Sequence, residues 1–160
     1  MIDSSNGRSE LSRRAALAGM AGVVGAALAT APSVATADEG LAADAIKSIT
    51  RGAAVKPGRV SVVMPELAEN GNTVALTVSV ESPMTVANHV KAIHIVADKN
   101  PIARVVTMHL NPRAGRAKVS TNIRLATTQV VTAIAEMSDG RYWSGTREVV
   151  VTLAACLEAG

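Results

Sequence analysis

From residue 73 to 80 the side chains alternate. Val74, Leu76, Val78 and Val80 are apolar, and Thr73, Ala75, Thr77 and Ser79 between them are small or polar. A period of two marks a strand with one buried face. Ala117, Val119, Ile123 and Leu125 alternate in the same way with Lys118, Ser120, Asn122 and Arg124. Further strands are predicted near 59–64, 91–98, 103–110, 128–137 and 146–154. Turn residues separate them: Glu69-Asn70-Gly71-Asn72, Ser82-Pro83, Lys99-Asn100-Pro101, Asn111-Pro112-Arg113-Ala114-Gly115 and Ser138-Asp139-Gly140. Ahead of them Leu41, Ala45, Ile46 and Ile49 recur at helical spacing, and Gly52 is placed to stop that helix. Seven short strands in about 100 residues predict an all-β protein, an immunoglobulin-like antiparallel β-sandwich preceded by a short N-terminal helix.

One hairpin is specific enough for a predicted register. Pairing 91–98 with 103–110 around Lys99-Asn100-Pro101-Ile102 sets Ile93 opposite Leu110, Ile95 opposite Met108 and Ala97 opposite Val106. All of these lie on one face, and a slip of one residue would mismatch the faces. The other face then sets His94 against His109, at contact distance for neighbouring strands.

Upstream of residue 38 the pattern changes. Ser12-Arg13-Arg14 is followed by an uncharged run, Ala15 to Ala37, that ends in Ala35-Thr36-Ala37. Paired arginines, an apolar middle and an A-x-A end predict a twin-arginine signal peptide over 1–37. The predicted division is then a short helix and linker over 38–57, the sandwich over 58–154 and a C-terminal tail over 155–160. After signal cleavage no segment is left that would span a membrane. The location implied is the periplasm.

The net charge is +3, Phe is absent, and Tyr142 and Trp143 are the only aromatics. With no dense basic run and no aromatic series to stack bases, nucleic acid is not an expected partner. The aromatic pair is expected to place one ring in the core and one at the rim, or to anchor a partner.

Candidate chemistry is sparse. His94 and His109 would supply half a zinc or copper site, with no third ligand in an evident position, or simply mark a polar sheet surface. Arg113, Arg116 and Lys118 form a basic cluster at one turn, suited to an anion, to an acidic patch or to solvent. Asp98 and Glu136 read as isolated carboxylates at strand ends, unpaired for acid–base work. No phosphate loop, G-x-S-x-G or C-x-x-C motif occurs, so neither a cofactor nor a catalytic residue is assigned.

The single cysteine, Cys156, follows the last predicted strand, with four residues after it. Exported cysteines normally come in pairs, so one thiol in an oxidising compartment needs a reason. It is a small buried hydrophobe, a crosslink to a second chain, or a covalent attachment point. Nothing basic in the tail lowers its pKa, which favours a handle acted upon by other enzymes over a self-activated nucleophile.

Six segments in order resemble the SoxY family, the sulfur carrier subunits of the thiosulfate-oxidising Sox system. They are Lys56-Pro57-Gly58-Arg59-Val60, Pro65-Glu66-Leu67-Ala68-Glu69-Asn70-Gly71, Val78-Ser79-Val80-Glu81-Ser82-Pro83-Met84, His94 through Pro101, Lys118-Val119-Ser120-Thr121 with Ile123-Arg124-Leu125, and Ala135 through Gly140. The resemblance implies a sandwich fold, a heterodimer with the small β-protein SoxZ, and Cys156 as the site of covalent sulfur attachment. It also implies partner enzymes of thiosulfate oxidation, a haem enzyme that joins thiosulfate to the thiol and a hydrolase that releases sulfate. On this view the chain itself is not an enzyme. A divergent binding or assembly module that leaves the thiol unused is the alternative. Family members usually flank the cysteine with glycines, whereas here Ala154-Ala155 precede it and Leu157-Glu158 follow. Side chains restrict such a tail, and Glu158 disfavours both the thiolate and an anionic adduct.

Overall fold

The computed structural model describes residues 37–155. The expected signal segment, apart from Ala37, and Cys156 with its four successors lie outside the described residues. Within them the protein is mostly β-sheet with one short N-terminal helix. Among the described residues no helix is long and apolar enough to cross a membrane.

Helix α1 runs Ala37–Thr50. Ala42, Ala45, Ile46 and Ile49 form its apolar stripe, which packs with Val55, Val96, Ala103, Ile134 and Tyr142. Leu41, expected on that stripe, is 45% exposed. The helix ends as a left-handed cap: Arg51 has φ 54° and Gly52 φ 80°, and the Gly52 amide donates back to Lys47 O at 3.1 Å.

Nine strands follow: β1 (Val55–Pro57), β2 (Val60–Val63), β3 (Leu67–Ala68), β4 (Val74–Val80), β5 (Val90–Ala97), β6 (Arg104–His109), β7 (Ala117–Ile123), β8 (Gln129–Met137) and β9 (Tyr142–Val151). One sheet has the order β1-β9-β8-β5-β6, with β3 also on β9, and the other is β2-β4-β7. Their inner faces share one core. It includes Val74, Leu76 and Val78 of β4, Ile93 and Ile95 of β5, Val131, Ala133 and Ala135 of β8, and Val149 of β9. The alternation on β4 thus has its cause: one face meets the other sheet and one meets solvent. Strand β5 is buried almost throughout, because α1 packs at Val96 on its outer side. Ile95 is fully buried, so Ile95→Ala is expected to cost about 2–5 kcal/mol in urea unfolding, with the slope unchanged.

Every predicted strand is present, with three differences. The last begins at Tyr142, not 146, and ends at Val151, not 154. Strands β1 and β3 were not predicted; at three and two residues they have no period of their own and exist by pairing with β9. Both of those pairings are parallel, so the sheet is not the purely antiparallel one expected.

The β5–β6 register also differs. Ile93 faces Met108 and Ile95 faces Val106, a shift of two residues that keeps the faces but changes every partner. His94 therefore faces Thr107, and His109 faces Ala92. The reason lies outside the hairpin. Asp98 N–H donates to Val130 O at 3.2 Å and its Oδ1 accepts from Val130 N at 3.0 Å, while Lys99 N–H donates to Gln129 Oε1 at 2.9 Å. Asn100 bridges Arg124 O and the Ala126 amide, each at 2.9 Å. These bonds tie residues 98–100 to the start of β8 and the loop after β7, and a bulge at Ile95/Val96 absorbs the change.

Candidate functional site

The end of β9 is stitched down beyond the strand. Thr152 N–H donates to Ala68 O at 3.1 Å and its hydroxyl to Glu69 O at 3.0 Å. Gly71 N–H donates to Leu153 O at 2.8 Å, Leu125 N–H to Gly71 O at 2.9 Å, and Ala155 N–H to Leu125 O at 3.2 Å. Ala155 is buried. At Gly71 a Cβ would collide with Leu125 O and lie 2.9 Å from Ala155 N, so only glycine lets the three segments meet. The chain is thus held up to the residue before Cys156. Covalent geometry sets the next Cα about 3.8 Å from that of Ala155. A tail expected to start at 155 is anchored there. Sequence reading noted Gly71 only as a turn signal and missed this stitch, because its partners Leu125 and Leu153 lie 54 and 82 positions away.

The two histidines are not brought together as a pair. His94 is 8% exposed; its Nδ1 lies 3.0 Å from Thr107 Oγ1, and its Nε2 is 3.7 Å from Glu136 Oε2. His109 is exposed at the end of β6. Glu136, expected to stand isolated, instead accepts a 2.7 Å hydrogen bond from Lys91 Nζ. The register reading had passed over Lys91, which sits at the irregularity between Val90 and Ala92 in the β5–β8 ladder. Among the described residues no group of three His, Cys, Asp or Glu side chains could hold a metal ion.

Burial pushes the His94 pKa below its ordinary 6.5, against the opposing pull of Glu136. The hydrogen bond from Lys91 holds Glu136 below the usual carboxylate range. The two act at different pH. Because folded His94 prefers to be neutral, stability is expected to fall as pH drops through 6.5 toward the folded value, and to fall no further from this source below it. The stabilisation from Glu136 persists to lower pH and is lost as pH falls through its folded value. Thermal unfolding across this range checks the first effect: His94→Gln should flatten the upper step, while the lower one, held mainly by Lys91, persists. An unchanged profile would remove His94 from the account.

The aromatic pair divides as the sequence suggested. Tyr142 is buried under α1, and Trp143 is half-buried against the main core. Arg59 stacks 5.0 Å from the Trp143 ring centre and Lys56 approaches to 5.9 Å. Arg113, Arg116 and Lys118 are exposed on the 3-10 turn Pro112–Ala114 and the start of β7. Asp98 serves the β5–β8 connection.

Fold and site together define a small two-sheet domain with a helix on one face, whose lone thiol follows directly on an anchored tail. The family model described as "Sulfur oxidation protein SoxY" matches residues 46–156, through to that cysteine. The chain belongs to the SoxY family, sulfur carriers of thiosulfate oxidation. It is similar to the sulfur carrier protein SoxY from Chlorobium limicola f thiosulfatophilum, with 25% identity over 72% of this chain and 98% of that one and a TM-score of 0.60. It also resembles in fold a superoxide reductase (neelaredoxin) from Ignicoccus hospitalis, at 18% identity over 59% of this chain and 80% of that one, TM-score 0.52. A putative superoxide reductase from Thermotoga maritima matches at 17% identity over 61% of this chain and 93% of that one, TM-score 0.52. Among curated proteins nothing matches the chain.

Proposed function

We propose that the mature chain is a periplasmic carrier whose Cys156 holds sulfur intermediates while partner enzymes act on them. It is exported by the twin-arginine route and cleaved after residue 37. Its domain, 58–154, is an immunoglobulin-like sandwich behind the 38–57 helix and linker, and it pairs with a SoxZ-like β-protein. It acts as a carrier and not as an enzyme. The observation that carries this reading is the family match running through Cys156, on a chain with no other thiol.

Loading joins the Cys156 sulfur to the outer sulfur of thiosulfate. The thiol loses its proton, and the two electrons released leave one at a time through the joining haem enzyme, since each haem iron takes only one. Hydrolysis of the adduct by a second enzyme consumes water, releases sulfate and leaves a persulfide on Cys156. Ala155, the residue before the thiol, is anchored through its amide to Leu125 O. Intact-mass measurement tests the reading. Mature protein incubated with thiosulfate and its complete partner set should gain a sulfur or thiosulfonate mass that reductant removes. A mass that never changes would overturn it.

A further inference from the structure

The loop that carries the stitch also carries a reactive pair. Asn70 is followed by Gly71, and it is the one asparagine among residues 37–155 whose successor has no side chain. The other Asn-Gly pair, Asn6-Gly7, lies outside the described residues. An asparagine is deamidated when the backbone nitrogen after it attacks its Cγ, and a following glycine has no Cβ to obstruct that attack. Asn72, Asn88 and Asn122 precede Thr73, His89 and Ile123. Asn100 and Asn111 precede prolines, whose nitrogen has no proton to lose.

Asn70 is exposed, and its side chain is set up as an electrophile. Its Oδ1 accepts from the Asn72 backbone amide at 2.9 Å and from Asn72 Nδ2 at 3.0 Å. A backbone N–H only donates, so the atom facing it is the amide oxygen and not the nitrogen. Two donors on that oxygen draw electron density from Cγ and stabilise the negative charge that attack would place there. The nucleophile is what the fold restrains. Gly71 N–H donates to Leu153 O at 2.8 Å, and Gly71 O accepts from Leu125 N at 2.9 Å. Gly71 is buried, packed against Leu125 O and Ala155 N. While these bonds hold, its nitrogen neither gives up its proton readily nor swings toward Cγ. Both freedoms come when the 153–155 segment lifts away.

We propose that Asn70 is a modification site, converted through a succinimide when the stitched tail opens, and that isoaspartate, the rearranged product, keeps the tail from closing again. The Gly71 nitrogen loses its proton and bonds to Asn70 Cγ. The Cγ–Nδ2 bond breaks, and ammonia leaves with that proton. Water then opens the ring at either carbonyl, giving aspartate or isoaspartate, with no change of oxidation state. Both products put a carboxylate beside Glu69, and isoaspartate adds one methylene to the main chain ahead of Gly71. A backbone lengthened there no longer sets Gly71 against both Leu125 and Leu153. The inference rests on the anchoring of residues 152–155 and on nothing about cargo or partners.

The full chain, held in mildly alkaline buffer, gives the test, with peptide mapping to follow the exchange of amide for carboxylate at Asn70. Wild type should convert at least about tenfold more slowly folded than unfolded in urea. Thr152→Val removes the hydroxyl bond to Glu69 O, and Ala155→Pro removes the amide bond to Leu125 O, while neither alters Asn70 or Gly71. Together they should raise the folded rate at least about fivefold. Circular dichroism establishes that the double variant is folded. If it is not, Thr152→Val alone, an exposed change of nearly equal shape, should move the rate the same way. The isoaspartate-bearing fraction, separated chromatographically, should exchange its Ala155 amide faster than the unconverted protein. Folded wild type converting as fast as unfolded, folded variants no faster than wild type, or a converted fraction with unchanged Ala155 exchange would each overturn the proposal.

Discussion

Cys156→Ser is expected to abolish covalent sulfur loading completely. The chain has no second cysteine to substitute, and a serine hydroxyl neither ionises near neutral pH nor forms a bond to sulfur under these conditions. Intact mass after incubation with thiosulfate and partners should stay at the unmodified value, and thiosulfate-dependent growth should fail. Partner binding should be unchanged, because the substitution exchanges one sulfur for oxygen and alters none of residues 37–155. A variant that binds its partner but cannot be loaded separates a carrier from an assembly module. Growth at the wild-type rate would instead support the module that leaves the thiol unused. The anchored Ala155 adds a demand on the enzymes. Ala155 is bonded to Leu125 O beside Gly71, so no long free arm precedes the cysteine.

Gly71→Ala tests that presentation. Its methyl group would overlap Leu125 O and crowd Ala155 N, both backbone atoms that cannot rotate away. The expected cost is about 2–3 kcal/mol, from overpacking and the weakened bonds to Leu153 and Leu125. The same change should release the tail. Exchange of the Ala155 amide should speed up, and Cys156 should react faster with a thiol reagent. Gly140→Ala is the control. It too is strained, at φ 81°, but nothing lies within 4 Å of its added methyl and it sits at the other end of β9. It should lose about 1 kcal/mol and leave the tail as it was. Equal thiol reactivity in both variants would mean that Gly71 does not control the cysteine.

The strands were legible because their cause is local. The two-residue period of β4 and β7 is the record of a sheet with one wet face, and the turn residues between strands act through their own backbone preferences. The errors share the opposite property. The β5–β6 register was set by Asp98, Lys99 and Asn100 bonding to residues 24 to 32 positions away, which no hairpin rule contains. Strands β1 and β3 came into being only through β9. Glu136 looked isolated until the β5–β8 pairing brought Lys91 to it.

The sequence by itself determined the mostly β class, the helix ahead of it, the family and the presence of a single thiol. These follow from periodicity, turn chemistry, ordered segments and one residue count, none of which needs a distant contact. Only the tertiary structure decided that the tail is pinned up to Ala155 and that the two histidines stand apart. It also decided that β6 and β7 end their sheets as edge strands. Each of these depends on which backbone groups pair across the fold, and hydrogen bonds between segments far apart in the chain leave no period in the sequence to read.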